Sequence, residues 1–217
     1  MRIAVALSGR GSNLQALLRA LQPGAPAEVV LVVSDRAQAT GLSHATTSKI
    51  PTVVLHDPAE AAAWLEPLQN YQIDLLVLAG YLRLVPAPVV AEYRGRIINT
   101  HPSLLPAFGG KGMYGERVHQ AVLDSGAKET GVTIHLVDEV YDRGAVLAQS
   151  RVPVLRGDTA ERLAARVLQV EHRLLPAAVL AAAAAGRPVE LEESPVESHE
   201  SRRRLKTRKP RSAGNNS

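Results

Sequence analysis

The chain is expected to fold as an α/β protein. Its core would be an open, mostly parallel sheet with helices on both faces, ending in a late antiparallel hairpin and a disordered basic tail. Three observations carry that expectation. Short β-branched or leucine-rich runs alternate with segments whose apolar residues recur at helical spacing. The strongest runs, around Val29–Val33 and Asp74–Gly80, are apolar throughout, as strands buried on both faces are. Polar or glycine-rich turns follow several of these runs, which would gather them at one edge of a parallel sheet.

Taken in order, residues 3–7 form a first strand, Ser8–Asn13 a turn, and Leu14 onward a helix that Pro23-Gly24 ends. Val29–Val33 is the second strand. A helix over about 38–48 leads past Pro51 to a short strand, Thr52–Val54. The helix over Ala59–Leu68 has Asp57 before Pro58 as its start signal. Asp74–Gly80 is the next strand, a short helix covers about 86–93, and a strand covers 96–100. Four glycines between Gly109 and Gly115 mark a mobile loop of the kind that closes over a site. A helix near 116–125 follows. Val132–Val137 and Val146–Val154 pair as a hairpin across the turn at Asp138–Gly144. Asp158–Glu161 reads as a capping box. The helix it opens runs to about Ala185, with a kink at Pro176 and Gly186 closing it. The folded domain is placed at 1–190 and the tail at 195–217.

Composition narrows the chemistry. Nearly half of the 217 residues are apolar, with few aromatics, so the core is aliphatic. There is no cysteine, which excludes disulfides, thiolate nucleophiles and cysteine zinc sites. None of the seven histidines falls in an H-E-x-x-H pattern, and no metal is expected. No run approaches the ~20 consecutive apolar residues of a membrane span. The first residues flow directly into Gly9-Arg10-Gly11, so they read as a strand rather than a leader, and a cytoplasmic location is expected. The net charge of +4 misleads. Seven Arg/Lys against Glu197 and Glu200 give residues 197–217 a charge of +5, so the body before them sums to −1. That tail has no interleaved aromatics for base stacking, and no nucleic-acid role is expected of it.

The stretch from Asn99 to Pro106 draws attention first. Asn99 and His101 are two apart on a strand and share a face. Pro102 holds His101 extended and ends the ladder. An amide and an imidazole at a strand's C-terminal end could stabilise an oxyanion, or be a polar strand end with a satisfied histidine. The Ser8–Asn13 turn offers backbone N–H groups at a helix start, a cradle for phosphate. It lacks the third glycine of a dinucleotide fingerprint and the Gly-Lys-Ser/Thr of a P-loop, which favours a phosphate monoester; the bland alternative is a tight turn that needs glycine. Asp142 in its turn is functional only if it meets a partner such as His101, whose pKa it would raise. His135 is either a supporting group or a structural histidine. Glu171 borders an apolar stripe of Val167, Leu168, Leu174 and Leu175, and wants a partner: an arginine or a ligand's hydroxyls.

Read together, Ser8–Ala16, Leu78–Arg83, Ile98–Pro106 and Asp142-Arg143-Gly144 resemble the phosphoribosylglycinamide formyltransferases over about residues 1–190. The resemblance implies a Rossmann-like formyltransferase fold and a folate-dependent enzyme of purine biosynthesis, with 10-formyltetrahydrofolate as co-substrate and no metal. It implies that Gly11, Ser12 and Asn13 hold the phosphate of glycinamide ribonucleotide and that Glu171 holds its ribose hydroxyls. Leu82, Arg83, Leu84, Val85, Val90 and Asn99 would contact the folate. Asn99, His101 and Asp142 would be the catalytic trio, with Asp142 keeping His101 protonated beside the oxyanion. The partners implied are small molecules, with no membrane, in a monomer or homodimer. Asp57-Pro58-Ala59-Glu60 stands where family members often carry an arginine for the folate's glutamate end.

Rival readings are a formyltetrahydrofolate hydrolase, a tRNA formyltransferase, a non-catalytic nucleotide or folate sensor, and an RNA-binding protein acting through its tail. The first would need a domain before the glycine turn at residue 8, and the second one after 190. The intact Asn99, His101 and Asp142 set argues against a sensor.

Overall fold

A computed structural model describes residues 1–191; the expected tail at 195–217 lies outside them. Its elements are β1 (Arg2–Leu7), α1 (Ser12–Ala20), β2 (Glu28–Ser34), α2 (Gly41–Thr47), β3 (Thr52–Val54), α3 (Ala61–Asn70), β4 (Leu75–Leu78), α4 (Ala87–Glu92), β5 (Ile97–His101), α5 (Glu116–Asp124), β6 (Glu129–Leu136), β7 (Val146–Pro153) and α6 (Ala160–Ala185).

The seven strands form one sheet in the order β3-β2-β1-β4-β5-β6-β7. β1 to β5 are parallel; β6 runs antiparallel to β5 and pairs with β7 as the expected hairpin. Chain order reverses between β1 and β4, which makes the crevice at their C-terminal ends the switch point where open α/β sheets bind ligands.

Each central strand feeds two cores because its side chains alternate. Ile3, Val5 and Leu7 pack with α1, α5 and α6, while Ala4 and Ala6 pack with α3 and α4. β2 carries an irregularity: Ile3 is opposite Val29 and Ala4 opposite Leu31, so Val30 is an extra residue. The parity of β2 therefore flips, and Val29 and Val32 share one core while Leu31 and Val33 share the other. The second core centres on Trp64, fully buried, whose indole N–H donates to Pro58 O at 3.1 Å and whose ring meets Tyr81 edge-on at 5.1 Å.

α6 spans 26 residues and is apolar enough on average to cross a membrane, but half of that stretch is buried within the protein. One detail differs from expectation. Thr159 is the N-cap, accepting from Arg162 N–H at 3.3 Å, and Asp158 instead grips Arg166 through both oxygens at 2.7 and 2.8 Å. The guanidinium is a stronger partner than a backbone N–H. As expected, the helix extends past Pro176 to Ala185, and Gly186 closes it in the left-handed region.

Candidate active site

The turns after β1, β4 and β5, the 110–116 loop, the 137–142 turn and one face of α6 enclose a cleft of about 860 Å³. It is lined by Gly11, Ser12, Asn13, Leu82, Arg83, Leu84, Val85, Asn99, His101, Asp142 and Glu171 among others. Eleven of the twelve residues singled out for a site therefore meet in one space. The twelfth, Val90, does not: it is buried in the second core, because α4 turns that side chain toward Trp64's layer.

β5 and β6 set the catalytic face. Asn99 is opposite His135 in the ladder, so their side chains project together, and Asn99 Nδ2 lies 3.0 Å from His135 Nε2. His135 Nδ1 is 2.8 Å from Leu136 O, which fixes the proton on Nδ1 and leaves Nε2 to accept from the Asn99 amide when the ring is neutral. The same Nε2 is 3.5 Å from Asp142 Oδ1. With its proton on Nδ1, His135 Nε2 serves the Asn99 amide, and it would meet the Asp142 carboxylate favourably only with a second proton on the ring.

His101 is 4 % exposed. Its Nε2 donates to Phe108 O at 2.9 Å, and its Nδ1 lies 3.6 Å from Asp142 Oδ1. Burial lowers its pKa below the usual imidazole value, and the Asp142 charge and the Phe108 carbonyl only partly offset this. Asp142 thus pulls His101 in the expected direction, toward the charged ring, while desolvation pulls the other way and is the larger of the two. Asp142 itself is pushed up by burial and pulled down further by His135, the Gly110 N–H and His101, so it stays below the usual carboxylate range. Gly110 N–H donates to Asp142 Oδ2 at 2.8 Å.

The backbone here is held in sparsely populated conformations. Phe108 and Asp142 both have φ of 56°, in the left-handed region that non-glycine residues avoid. Gly144 is required beside them, since a Cβ there would collide with the Leu136 carbonyl. The connection after His101 is pinned from the hairpin: Thr133 Oγ1 donates to Ser103 O at 2.6 Å and accepts from Leu105 N–H at 3.0 Å, and Gln149 Nε2 donates to Leu105 O at 2.9 Å.

Across the cleft, Glu171 is 7 % exposed and its partner is Asn13, whose Nδ2 donates to Oε2 at 2.7 Å. Among the described residues no arginine pairs with it. Burial therefore raises its pKa, offset only in part by Asn13. Gly11 takes φ of 72° as the N-cap of α1, which opens the first-turn N–H groups to the cleft. On the far wall, Ser8 N–H donates to Gly80 O and Leu82 N–H donates to Ser8 Oγ, both at 3.0 Å, tying the β4 turn to β1. Arg83 Nε donates to Asp35 Oδ2 at 2.9 Å, and the Asp35 side chain is buried while that of Arg83 is 60 % exposed.

Some site residues were not legible beforehand. His119 lines the cleft, is 5 % exposed, and has its Nδ1 without a protein partner. Its only sequence signal is its place beside Val118 and before Val122, on the buried side of α5. Asn13 Oδ1, Thr100 Oγ1 and Tyr81 OH are likewise buried and unpartnered among the cleft residues. Buried polar atoms are rarely left so, and these offer hydrogen bonds to a ligand with several polar groups. Among the described residues, no group of three His, Asp or Glu is placed to hold a metal ion.

Known proteins share the sequence pattern and the fold of this chain. The formyl transferase family profile matches residues 1–179. The chain is 44% identical over 180 residues to a chloroplastic phosphoribosylglycinamide formyltransferase of Vigna unguiculata, covering 80% of this chain and 58% of that one. It is 35% identical over 182 residues to the phosphoribosylglycinamide formyltransferase of Haemophilus influenzae, covering 81% and 84%. The chain thus spans less than two thirds of the plant relatives, 58% and 62%, and most of the bacterial one. Among solved structures, the Brucella melitensis phosphoribosylglycinamide formyltransferase superposes with a TM-score of 0.77 at 46% identity, covering 89% and 98%. The Symbiobacterium toebii glycinamide ribonucleotide transformylase 1 gives 0.80 at 40% identity, covering 88% and 94%. The profile match, the identities and the shared fold place this chain in the formyl transferase family, among the phosphoribosylglycinamide formyltransferases.

Proposed function

We propose that the chain transfers the formyl group of 10-formyltetrahydrofolate to the amine of glycinamide ribonucleotide, a step of purine biosynthesis. The observation that carries this reading is that Asn99, His101 and Asp142 face the same cleft as the open N-terminus of α1 and Glu171. A phosphate donor set and an oxyanion donor set thus line one cleft.

The walls suit both ligands. Gly11, Ser12 and Asn13 present N–H groups to a phosphate, and Glu171 with Asn13 Oδ1 offers acceptors to ribose hydroxyls. The turn at Leu82–Val85, with Val137, Val140 and Tyr141 opposite, forms an apolar slot for a pterin ring. The folate supplies an electrophilic formyl carbon, whose bond to nitrogen breaks as the amine bonds to it, one proton passing from the amine to the departing nitrogen.

The chain's own residues then act on the charge. Asn99 has a second amide N–H beyond the one given to His135, free for an oxygen that turns negative. His101 must exchange Phe108 O for that oxygen, because its Nε2–H is held by the carbonyl. One such donor contributes about 3–4 kcal/mol of transition-state stabilisation. As negative charge grows beside it, a proton on His101 Nδ1 becomes favourable, with Asp142 3.6 Å away to receive the N–H. Asp142, kept ionised, is also placed to help a water relay the amine proton.

The test is turnover of purified protein with the two substrates. Formylated ribonucleotide in stoichiometric yield supports the reading; binding of both ligands without transfer overturns it. The cytoplasmic location, the absence of a nucleic-acid partner, and a monomeric or dimeric state remain part of this proposal. Two relatives are named as chloroplastic.

A further inference from the structure

The turn between β1 and α1 is braced from behind by α2. Gly41 N–H donates to Gly9 O at 2.9 Å. A Cβ on Gly11 would stand 2.6 Å from Gly41 Cα, and one on Gly41 would stand 2.9 Å from Gly11 Cα. The two backbones therefore touch only because both residues are glycine. One turn further along α2, His44 reaches over the same contact. Its Nε2 lies 3.1 Å from Arg10 O, and its Nδ1 lies 3.2 Å from Gln15 Nε2. A carbonyl only accepts, so Nε2 carries the proton and Nδ1 accepts from the Gln15 amide. Gln15 N–H in turn donates to Gly11 O at 3.0 Å.

Three successive carbonyls of the turn, those of Gly9, Arg10 and Gly11, are thus each held by a donor on the side away from the ligand. In a planar trans peptide the N–H points opposite its C=O. Holding Gly9 O aims the Arg10 N–H, holding Arg10 O aims the Gly11 N–H, and holding Gly11 O aims the Ser12 N–H. Two of those three donors are backbone N–H groups that any residue would supply. The middle one is the side chain of His44.

We propose that His44, oriented by Gln15, is a positioning residue that aims the Gly11 N–H of this turn at the ribonucleotide phosphate. It rests on the phosphate-binding reading above and adds to it a residue that never touches the ligand. A preset N–H avoids the ordering cost of binding, so its loss appears in affinity and not in the chemical step.

The experiment compares wild type, His44→Ala, His44→Gln and Gln15→Ala. It measures kcat, KM for each substrate, and competition by inorganic phosphate, with thermal melts as a check on folding. In His44→Ala the KM for the ribonucleotide is expected to rise roughly five- to tenfold, as loss of one hydrogen bond gives. Phosphate should weaken as a competitor in parallel, while kcat and the folate KM stay within about twofold. His44→Gln restores an N–H donor and should recover most of the loss. Gln15→Ala should show a smaller rise of the same kind, and reports on the clamp should His44→Ala not fold. Unchanged ribonucleotide affinity in folded His44→Ala overturns the inference, as does a fall in kcat matched by equal changes in both KM values. Phosphate binding that depends on His44 in a protein without turnover supports this inference while overturning formyl transfer.

Discussion

The Nδ1 atom of His101 lies 3.6 Å from the Asp142 carboxylate, yet the imidazole stays below its usual pKa. Burial outweighs the neighbouring charge, so the resting pair is a neutral ring beside an ionised acid. In the proposed mechanism the charge on His101 is something the reaction creates, with Asp142 beside it to receive the N–H. Replacing Asp142 with asparagine removes the attraction and leaves the desolvation. The acid limb of the pH–rate profile that reports His101 should therefore move to lower pH in Asp142→Asn. Turnover should fall by on the order of 10² or more, as loss of acid–base assistance does. A limb that moves to higher pH contradicts this account.

Under the proposed mechanism His101→Ala removes an oxyanion donor without touching the proposed phosphate turn or Glu171. Turnover is expected to drop by about 10²–10³. The dissociation constant of glycinamide ribonucleotide, measured by calorimetry, should change little. A large loss of affinity with turnover preserved would reverse the assignment.

Glu171 is a buried carboxylate with one amide donor, and its folded pKa is raised above that of an unfolded glutamate. Such a group is tolerated while protonated and costs stability once pH rises through its folded pKa. Glu171→Gln keeps an acceptor for the Asn13 amide and removes the charge. The variant should melt higher than wild type at pH 8 and show no such gain near pH 4. Its affinity for the ribonucleotide should fall about tenfold or more, since hydrogen bonds from hydroxyls to a charged acceptor are lost. A lower melting temperature at pH 8 would show that Glu171 is better paired than its contacts indicate.

Burial lowers the pKa of three imidazoles, at His101, His119 and His172. An unfolded histidine titrates near 6.5. Between that value and the lower folded ones, the unfolded chain binds more protons, so stability is lost as pH falls. The melting temperature should drop steadily below about pH 6.5, well before carboxylates near pH 4 take part. His119→Gln should flatten that slope. A melting temperature that is constant from pH 7.5 to 5 rules the explanation out.

Gly144→Ala tests the strained turn. The added methyl meets the Leu136 carbonyl, so the 142–144 backbone must shift and carry Asp142 with it. Both stability and turnover should fall, the second by more than Asp142→Asn alone produces if Gly110 also loses its acceptor. Wild-type kinetics in this variant would mean that the turn relaxes without cost.

Much of this protein was readable before folding. Period-2 and helical spacing placed every strand and helix to within a few residues, because the buried runs are nearly all aliphatic and the breaks are glycine or proline. The string from Asn99 to Pro106, the glycine turn and Glu171 stood out locally, Asp142 only through the family resemblance, and the structure brings them into one cleft. What the sequence could not carry is anything set by how deeply a group is buried or by what crosses from a distant element. Desolvation pulls the His101 pKa down, and it depends on how distant elements pack around the ring. The extra residue in β2 that redirects its side chains is invisible until it pairs with β1. His119, His44 and the Asn13 partner of Glu171 join residues up to 158 positions apart. Local periodicity is written by neighbours three and four residues away; pKa values and clamps are written by the packing of elements against one another, which only the tertiary structure brings about.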